Sequence, residues 1–165
     1  MAVWVISGVA GSGKTSLARR LGARLGCTFL DSDDFHTPAN KAKMRAGQAL
    51  DEADREVWLR ALTQAVAAVG SAELVLAFPA LREAHRQRLR KATPEIHFAW
   101  LRADLGLVEE RLRQRGGFFP PALAASQFQV WEPDPDAYVL DARQPLEALE
   151  AQALAWMRPG SLPAF

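Results

Sequence analysis

A chain of 165 residues with 49% hydrophobic and 24% charged side chains has the length to bury one sizeable α/β core and the balance of a soluble globular protein. Its formal net charge of +1 excludes bulk attraction to nucleic acid or to a membrane surface. A lone cysteine, Cys27, excludes an intramolecular disulfide, and no apolar run approaches membrane-spanning length, so the cytoplasm is the expected setting.

The chain opens on the apolar run Val3-Trp4-Val5-Ile6, a strand, with no secretory leader expected. Gly8-Val9-Ala10-Gly11-Ser12-Gly13-Lys14-Thr15 follows, and Leu17, Leu21 and Leu25 then share one helical face. Strand, glycine-rich turn and helix form the context in which G-x-x-x-x-G-K-S/T binds a nucleoside triphosphate. Glycines admit positive φ and a close backbone, so the loop, continued by Ser16, can turn its N–H groups on an oxyanion beside the positive end of the helix. Lys14 brings an ammonium to the β and γ phosphates, and the Thr15 hydroxyl can ligate Mg²⁺. The plain alternative is a turn that only lets a strand reverse into a helix. The flanking strand and helix, both where the motif demands them, speak against it.

Gly22 and Gly26 bracket the end of this helix, and Cys27-Thr28-Phe29-Leu30 reads as a second strand, with Cys27 a small buried residue of no catalytic role. Asp31 and Asp33 leave that strand two positions apart and share a face if the chain stays extended. One could hold a water of the Mg²⁺ shell and the other an acceptor hydroxyl; capping a turn is the alternative for either. Asp34 is the least secure of the three aspartates. His36, the one histidine of this polar loop, is a candidate for a hydrogen bond to substrate.

Residues 39–46 form a short predicted helix closed by Gly47, and from Asp51 the apolar residues Trp58, Leu62, Val66 and Val69 mark a longer one stopped by Gly70. Arg55 sits near its start, where the helix dipole disfavours a cation, so a ligand carboxylate competes with a plain surface role. Leu74-Val75-Leu76-Ala77-Phe78 is the continuous apolar run of a parallel strand covered on both faces, ended by Pro79. A basic helix over 81–91 carries Arg82, Arg86, Arg88, Arg90 and Lys91, mostly as a solvated face. Arg82, nearest the strand end, could reach an acceptor. His85 in this helix and His97 in the next strand take structural readings.

Ile96 to Leu101 form a strand, backed by a helix striped with Leu105, Val108 and Leu112. Arg111, Arg113 and Arg115 lead into Gly116-Gly117-Phe118-Phe119-Pro120-Pro121, a breaker-rich loop expected to be mobile and to act as a lid around 113–125. Positions i, i+2 and i+4 do not share a helical face, so at most two arginines point inward. Arg115 is the first choice, placed to meet the charge that develops in transfer, and Arg111 the second, toward nucleotide. A short helix over 122–129, a turn cluster over 132–136, the strand Tyr138-Val139-Leu140 and a helix with Leu146, Leu149, Ala153 and Trp156 complete the chain, with a frayed tail after Pro159. Trp58, Trp100, Trp131 and Trp156 are assigned to core or interface. Strands alternating with helices, without repeat or linker, give a single domain over 1–165: a parallel α/β sheet of about five strands with helices on both faces. Ligands of such sheets gather at the carboxyl ends of the strands, which selects Asp31, Asp33 and the residues after Phe78 and Leu101 as site neighbours.

The chain resembles the bacterial gluconokinase family of small P-loop sugar-acid kinases, kin of the shikimate kinases. The likeness runs through the phosphate loop, Phe29-Leu30-Asp31-Ser32-Asp33-Asp34-Phe35-His36, Asn40, Lys43-Met44, Gly47, Asp54-Arg55 and Trp58-Leu59, then Ser126-Gln127-Phe128, Glu132-Pro133 and Leu140-Asp141-Ala142-Arg143-Gln144-Pro145-Leu146. The resemblance implies a three-layer P-loop fold with a small lid, ATP and Mg²⁺, and direct in-line transfer of the γ-phosphoryl to the terminal hydroxyl of D-gluconate. It makes Asp33 the acceptor-side carboxylate and Asp31 the Mg²⁺-side one, gives the sugar acid to His36 and Arg55, and puts Arg115 in the lid. Relatives of this kind are often dimers, which leaves a homodimer open. Two departures bear on the acceptor. Phe78-Pro79 stand where the family usually has a cysteine-serine pair, placing bulk near the acceptor pocket, and Gly116-Gly117-Phe118 replace glycine-histidine-phenylalanine. A kinase for another small hydroxylated acid is therefore the near alternative. A nucleotide-binding protein without turnover is the alternative from another class, opposed by the retention of Lys14, Thr15, Asp31 and Asp33.

Overall fold

Apolar residues in unbroken runs, rather than in alternation, build the centre of the sheet. Strands β1 (Val3–Ser7) and β3 (Leu74–Ala77) are buried at every position, as expected where helices cover both faces. With β2 (Thr28–Asp31), β4 (Ile96–Arg102) and β5 (Tyr138–Asp141) they form one five-stranded sheet in the order β2-β3-β1-β4-β5. Every pairing is parallel, and the register runs Val3↔Leu74 on one side of β1 and Val3↔Ile96 on the other. The computed structural model describes residues 2–117 and 119–158, so Phe118 of the glycine loop and the tail expected to fray after Pro159 lie outside the described residues.

Successive side chains of β1 feed two cores. Trp4 and Ile6 pack with α1 (Lys14–Leu25) and α7 (Leu146–Met157) through Leu17, Leu21, Leu149 and Ala153. Val3 and Val5 pack on the opposite face with α3 (Glu52–Ala68) and α4 (Glu83–Ala92) through Trp58, Leu62, Val66 and Leu89. The sheet thus lies between two helical layers, three layers in all. Helices α2 (Pro38–Arg45), α5 (Leu105–Arg115) and α6 (Ala124–Val130) complete the described elements. Among the described residues, no helix is long and apolar enough to cross a membrane.

Several expectations need correction. The chain does not stay extended after β2: a 3₁₀ turn, Ser32–Phe35, starts at once, with Asp31 as its cap. Cys27 precedes the strand and is half-buried. Leu105, placed in the apolar stripe of α5, is 36% exposed. The largest departure is Arg86, assigned to a solvated face but only 2% exposed. Its guanidinium donates to the carbonyls of Ala80 (2.7 Å), Glu132 (2.9 Å) and Pro133 (3.3 Å) and pairs with Glu83 at 2.8 Å. A fork of donors can satisfy carbonyls of two loops at once, so this charge is buried as a joint between α4 and the segment after α6.

Candidate active site

The phosphate loop after β1, the 3₁₀ turn after β2 and Pro79-Ala80 after β3 open on one cleft, with a volume of ≈ 200 Å³. Its walls add Arg55 and Trp58 of α3, His85 of α4, Arg115 at the end of α5 and Gln127 of α6. The three loops leave the carboxyl ends of their strands, as the parallel topology requires, and the helices in the connections supply the rest.

The loop's shape depends on its glycines. Gly11 and Gly13 hold φ of 79° and 98°, and a Cβ on Gly11 would lie 3.0 Å from both Leu112 Cγ and the Val108 carbonyl oxygen. Val9 beneath the loop is 1% exposed and packs with Leu81, Val108 and Leu112. Gly13 caps α1 with no side-chain bond to the first turn, unlike Asp51, whose capping box closes the start of α3. The Ser12 hydroxyl is buried and has no hydrogen-bond partner among the described residues. Ser16, one position beyond Thr15, is exposed.

Lys14 is 6% exposed and reaches the Val9 carbonyl at 3.4 Å. Burial pulls its pKa below the ordinary lysine value, while Asp33 and Asp31 pull the other way. Burial likewise pushes Asp33 above the usual carboxylate range, opposed by Lys14. Lys14 and Asp33 line the same cleft, and both aspartates act electrostatically on the lysine. Asp31 serves two partners: one oxygen accepts from the Asp33 amide at 2.9 Å, the other from the Thr15 hydroxyl at 2.8 Å. The turn-cap reading of this aspartate holds, and its second oxygen is bound to the threonine expected on the metal side.

A hydroxyl and a carboxylate side by side suit a hard cation, which favours oxygen ligands. Among the described residues, no group of three or more His, Cys, Asp or Glu is placed to hold a metal. A divalent ion here would take the rest of its shell from phosphate oxygens and water, the usual habit of Mg²⁺. The donor set fits that ion.

His36 is stacked on Trp58, with ring centroids 4.5 Å apart, and its Nε2 lies 3.9 Å from Asp33 Oδ1. Burial, helped by Lys41, pushes its pKa down to about 4, so the imidazole is neutral near pH 7. Trp58, assigned to core or interface, is thus also a platform for His36, and its indole N–H donates to the Ser32 carbonyl at 2.7 Å. Phe78 is fully buried, 5.5 Å from the Trp58 ring, and does not line the cleft; the bulk expected beside the acceptor is Pro79 alone.

Arg55 Nη1 donates to Glu52 Oε1 at 2.7 Å, and Arg82 Nη1 lies 3.3 Å from the same oxygen. His85 completes this corner, 9% exposed, its pKa lowered by burial. Its structural reading is corrected: it lines the cleft. Asn40 and Lys43, by contrast, bind the Asp54 carbonyl and carboxylate and fasten α2 to the start of α3. His97 stacks on Trp4, far from the cleft lining.

Of the three arginines ending α5, Arg113 is exposed beside Glu109, Arg115 lines the cleft, and Arg111 grips the Ser12 and Ala142 carbonyls at 2.9 and 2.8 Å. Arg111, expected toward nucleotide, is instead engaged by carbonyls and does not line the cleft, while Arg115 lines it from an exposed position. Gln127 was visible in the sequence as part of a motif without a stated chemistry; its carbonyl oxygen accepts from the Ala10 amide at 2.6 Å. Ala80, also unforeseen, holds φ of 52°, a costly conformation for a residue with a Cβ, and Arg86 clamps its carbonyl.

The family described as AAA domain matches residues 3–127. The thermoresistant gluconokinase of Escherichia coli (strain K12) is 34% identical, with 96% of this chain and 94% of that protein covered. A crystal structure of an unliganded sugar kinase from Janibacter sp. HTCC2649 superposes with a TM-score of 0.87 at 35% identity, covering 95% of this chain and 94% of that one. A gluconokinase from Sinorhizobium meliloti 1021 gives a TM-score of 0.83 at 31% identity, covering 93% and 90%.

Proposed function

The chain belongs to the gluconokinase family, and from that premise we propose that it transfers the γ-phosphoryl of ATP to D-gluconate, giving 6-phospho-D-gluconate and ADP. The observation that carries the chemistry is one cleft lined by buried Lys14, Thr15 and Asp33, with Asp31 accepting from the Thr15 hydroxyl at 2.8 Å. Phosphoryl transfer needs positioning and charge neutralisation more than covalent help. In this reading the phosphate loop from Gly8 to Ser16 cradles the nucleotide, Lys14 meets the β and γ oxygens, and Arg111 braces the loop beside it.

Asp33 takes the acceptor proton. Its environment suits the task, because burial raises its affinity for a proton while Lys14 opposes that rise. His36, neutral at pH 7, can donate or accept one hydrogen bond to a sugar hydroxyl without adding charge. Arg55 and Arg82 hold the acceptor carboxylate, and His85 lies at the same corner. Arg115 follows the lid, residues 113–125, onto the transferring group and excludes water. Mg²⁺, held by the Thr15 hydroxyl and through water by Asp31, would neutralise charge on the phosphate oxygens. An ATP-using metabolic kinase with one half-buried cysteine belongs in the cytoplasm.

The test is ADP release coupled to a reporter, with gluconate, shikimate and other sugar acids as acceptors. Gluconate-dependent ADP is expected. Turnover of another acid instead would place the chain with the near alternative, and no acceptor-dependent ADP would leave a nucleotide-binding protein.

A further inference from the structure

Gln127 lies on α6, directly after the lid segment, and meets the phosphate loop at Ala10, 117 positions earlier in the chain. Which end of its amide points at the loop follows from chemistry. A backbone N–H can only donate, so the atom 2.6 Å from the Ala10 nitrogen must be the side-chain carbonyl oxygen. That commits Oε1 to the loop and leaves the amide NH₂, with its two N–H donors, as the remaining polar face. Among the described residues the nitrogen donates to no protein group, and Gln127 lines the same cleft as Ala10, Lys14, Asp33 and Arg115.

Lys14 and Arg115, which line the same cleft, are cationic donors. Both act electrostatically on Asp33 and lower its proton affinity. A neutral amide adds hydrogen bonds to an anion without that side effect. We propose that Gln127 is a γ-phosphate-contacting residue: its carbonyl fixes the Ala10 amide while its NH₂ donates to a γ-phosphoryl oxygen of bound nucleotide. One side chain then ties the segment after the lid both to the phosphate loop and to the group being transferred. This inference rests on the kinase reading above for the identity of the nucleotide.

Gln127→Glu separates the two halves of the role. Glutamate keeps an acceptor for the Ala10 amide but loses the donors and sets a negative charge against the phosphate. Affinities for ADP and for a non-hydrolysable ATP analogue are measured by calorimetry beside kcat for gluconate, with thermal unfolding as the check on folding. The expected result is an analogue affinity down about tenfold or more, ADP within about threefold, and kcat reduced at least in proportion, since a hydrogen bond to a charged group carries an effect of that size. Gln127→Met, which has neither donor nor acceptor, should lose analogue affinity as well. An unchanged ratio of analogue to ADP affinity in Gln127→Glu overturns the proposal, whether both affinities hold or both fall. Wild-type turnover of gluconate is read separately: if it fails, the proposed function falls, while the affinity ratio still tests Gln127.

Discussion

The imidazole of His36 lies flat on the indole of Trp58, with the two planes only 13° apart. Because the Trp58 N–H also holds the Ser32 carbonyl, a single residue of α3 supports both ends of the turn that carries Asp33. Stacking seals the imidazole from water, and that burial is what keeps it from taking a proton.

The first prediction concerns pH. His36 titrates near 4 in the folded chain and near its ordinary value of 6.5 when unfolded. Below pH 6.5 the unfolded chain takes up a proton that the folded chain refuses, so stability falls as the pH drops from 6.5 toward 4. The loss reaches about 3 kcal/mol at the acid end of that window. Urea unfolding of wild type and His36→Gln across this range should show a shallower pH slope in the variant; equal slopes would show that another group carries the effect.

Asp33→Asn should lower kcat by about 10²–10⁴-fold while nucleotide affinity stays within a few-fold, because the amide cannot accept the acceptor proton. Steady-state kinetics with nucleotide titration decides it. Loss of ATP binding in the variant would move Asp33 to the nucleotide side.

Arg55→Ala should raise the KM for gluconate far more than that for ATP. Glu52 occupies Arg55 and Arg82 with its own carboxylate, and its side chain is 66% exposed, so an incoming acid can displace it. Glu52→Gln should then lower the gluconate KM. An increase instead would mean that Glu52 orients the arginines rather than competing for them.

Thr15 and Asp31 share one hydrogen bond, and each should matter to the metal. Thr15→Ala and Asp31→Asn should both raise the Mg²⁺ concentration needed for half-maximal activity, with Thr15→Ala the larger effect as the direct ligand. A Mg²⁺ titration of activity at fixed ATP reads this out, and unchanged midpoints would remove both from the metal shell.

Arg86→Met should destabilise the fold by about 1–3 kcal/mol or more, because it leaves the buried Ala80 carbonyl and its neighbours unpaired, while Arg90 still holds the Asp134 carboxylate at 3.0 Å. Denaturant midpoints measure it, and a change within experimental error would show the joint to be dispensable.

Much of this molecule was legible along the chain. The buried strands announce themselves as unbroken apolar runs, and the loop from Gly8 to Thr15 follows from glycine's freedom and one lysine. That Arg111 and Arg115 share a side of their helix and Arg113 does not follows from helical spacing. All of these depend on residues within a few positions of each other, where φ, ψ and periodicity act directly. What escaped was set by which elements meet. Arg86 and His85 occupy a helix whose composition reads as a solvated face, and only the loops packed on α4 bury the one and turn the other into the cleft. Asp31 and Asp33 do not share an extended strand as expected, since a 3₁₀ turn begins directly after Asp31. Gln127 meets Ala10 only because a parallel sheet brings the exits of its strands to a single rim. The sequence alone determined the sheet, the phosphate loop and the presence of an acidic pair. Tertiary structure alone decided which charges are buried and which amide completes the cleft, because burial is a property of the neighbours a residue acquires on folding.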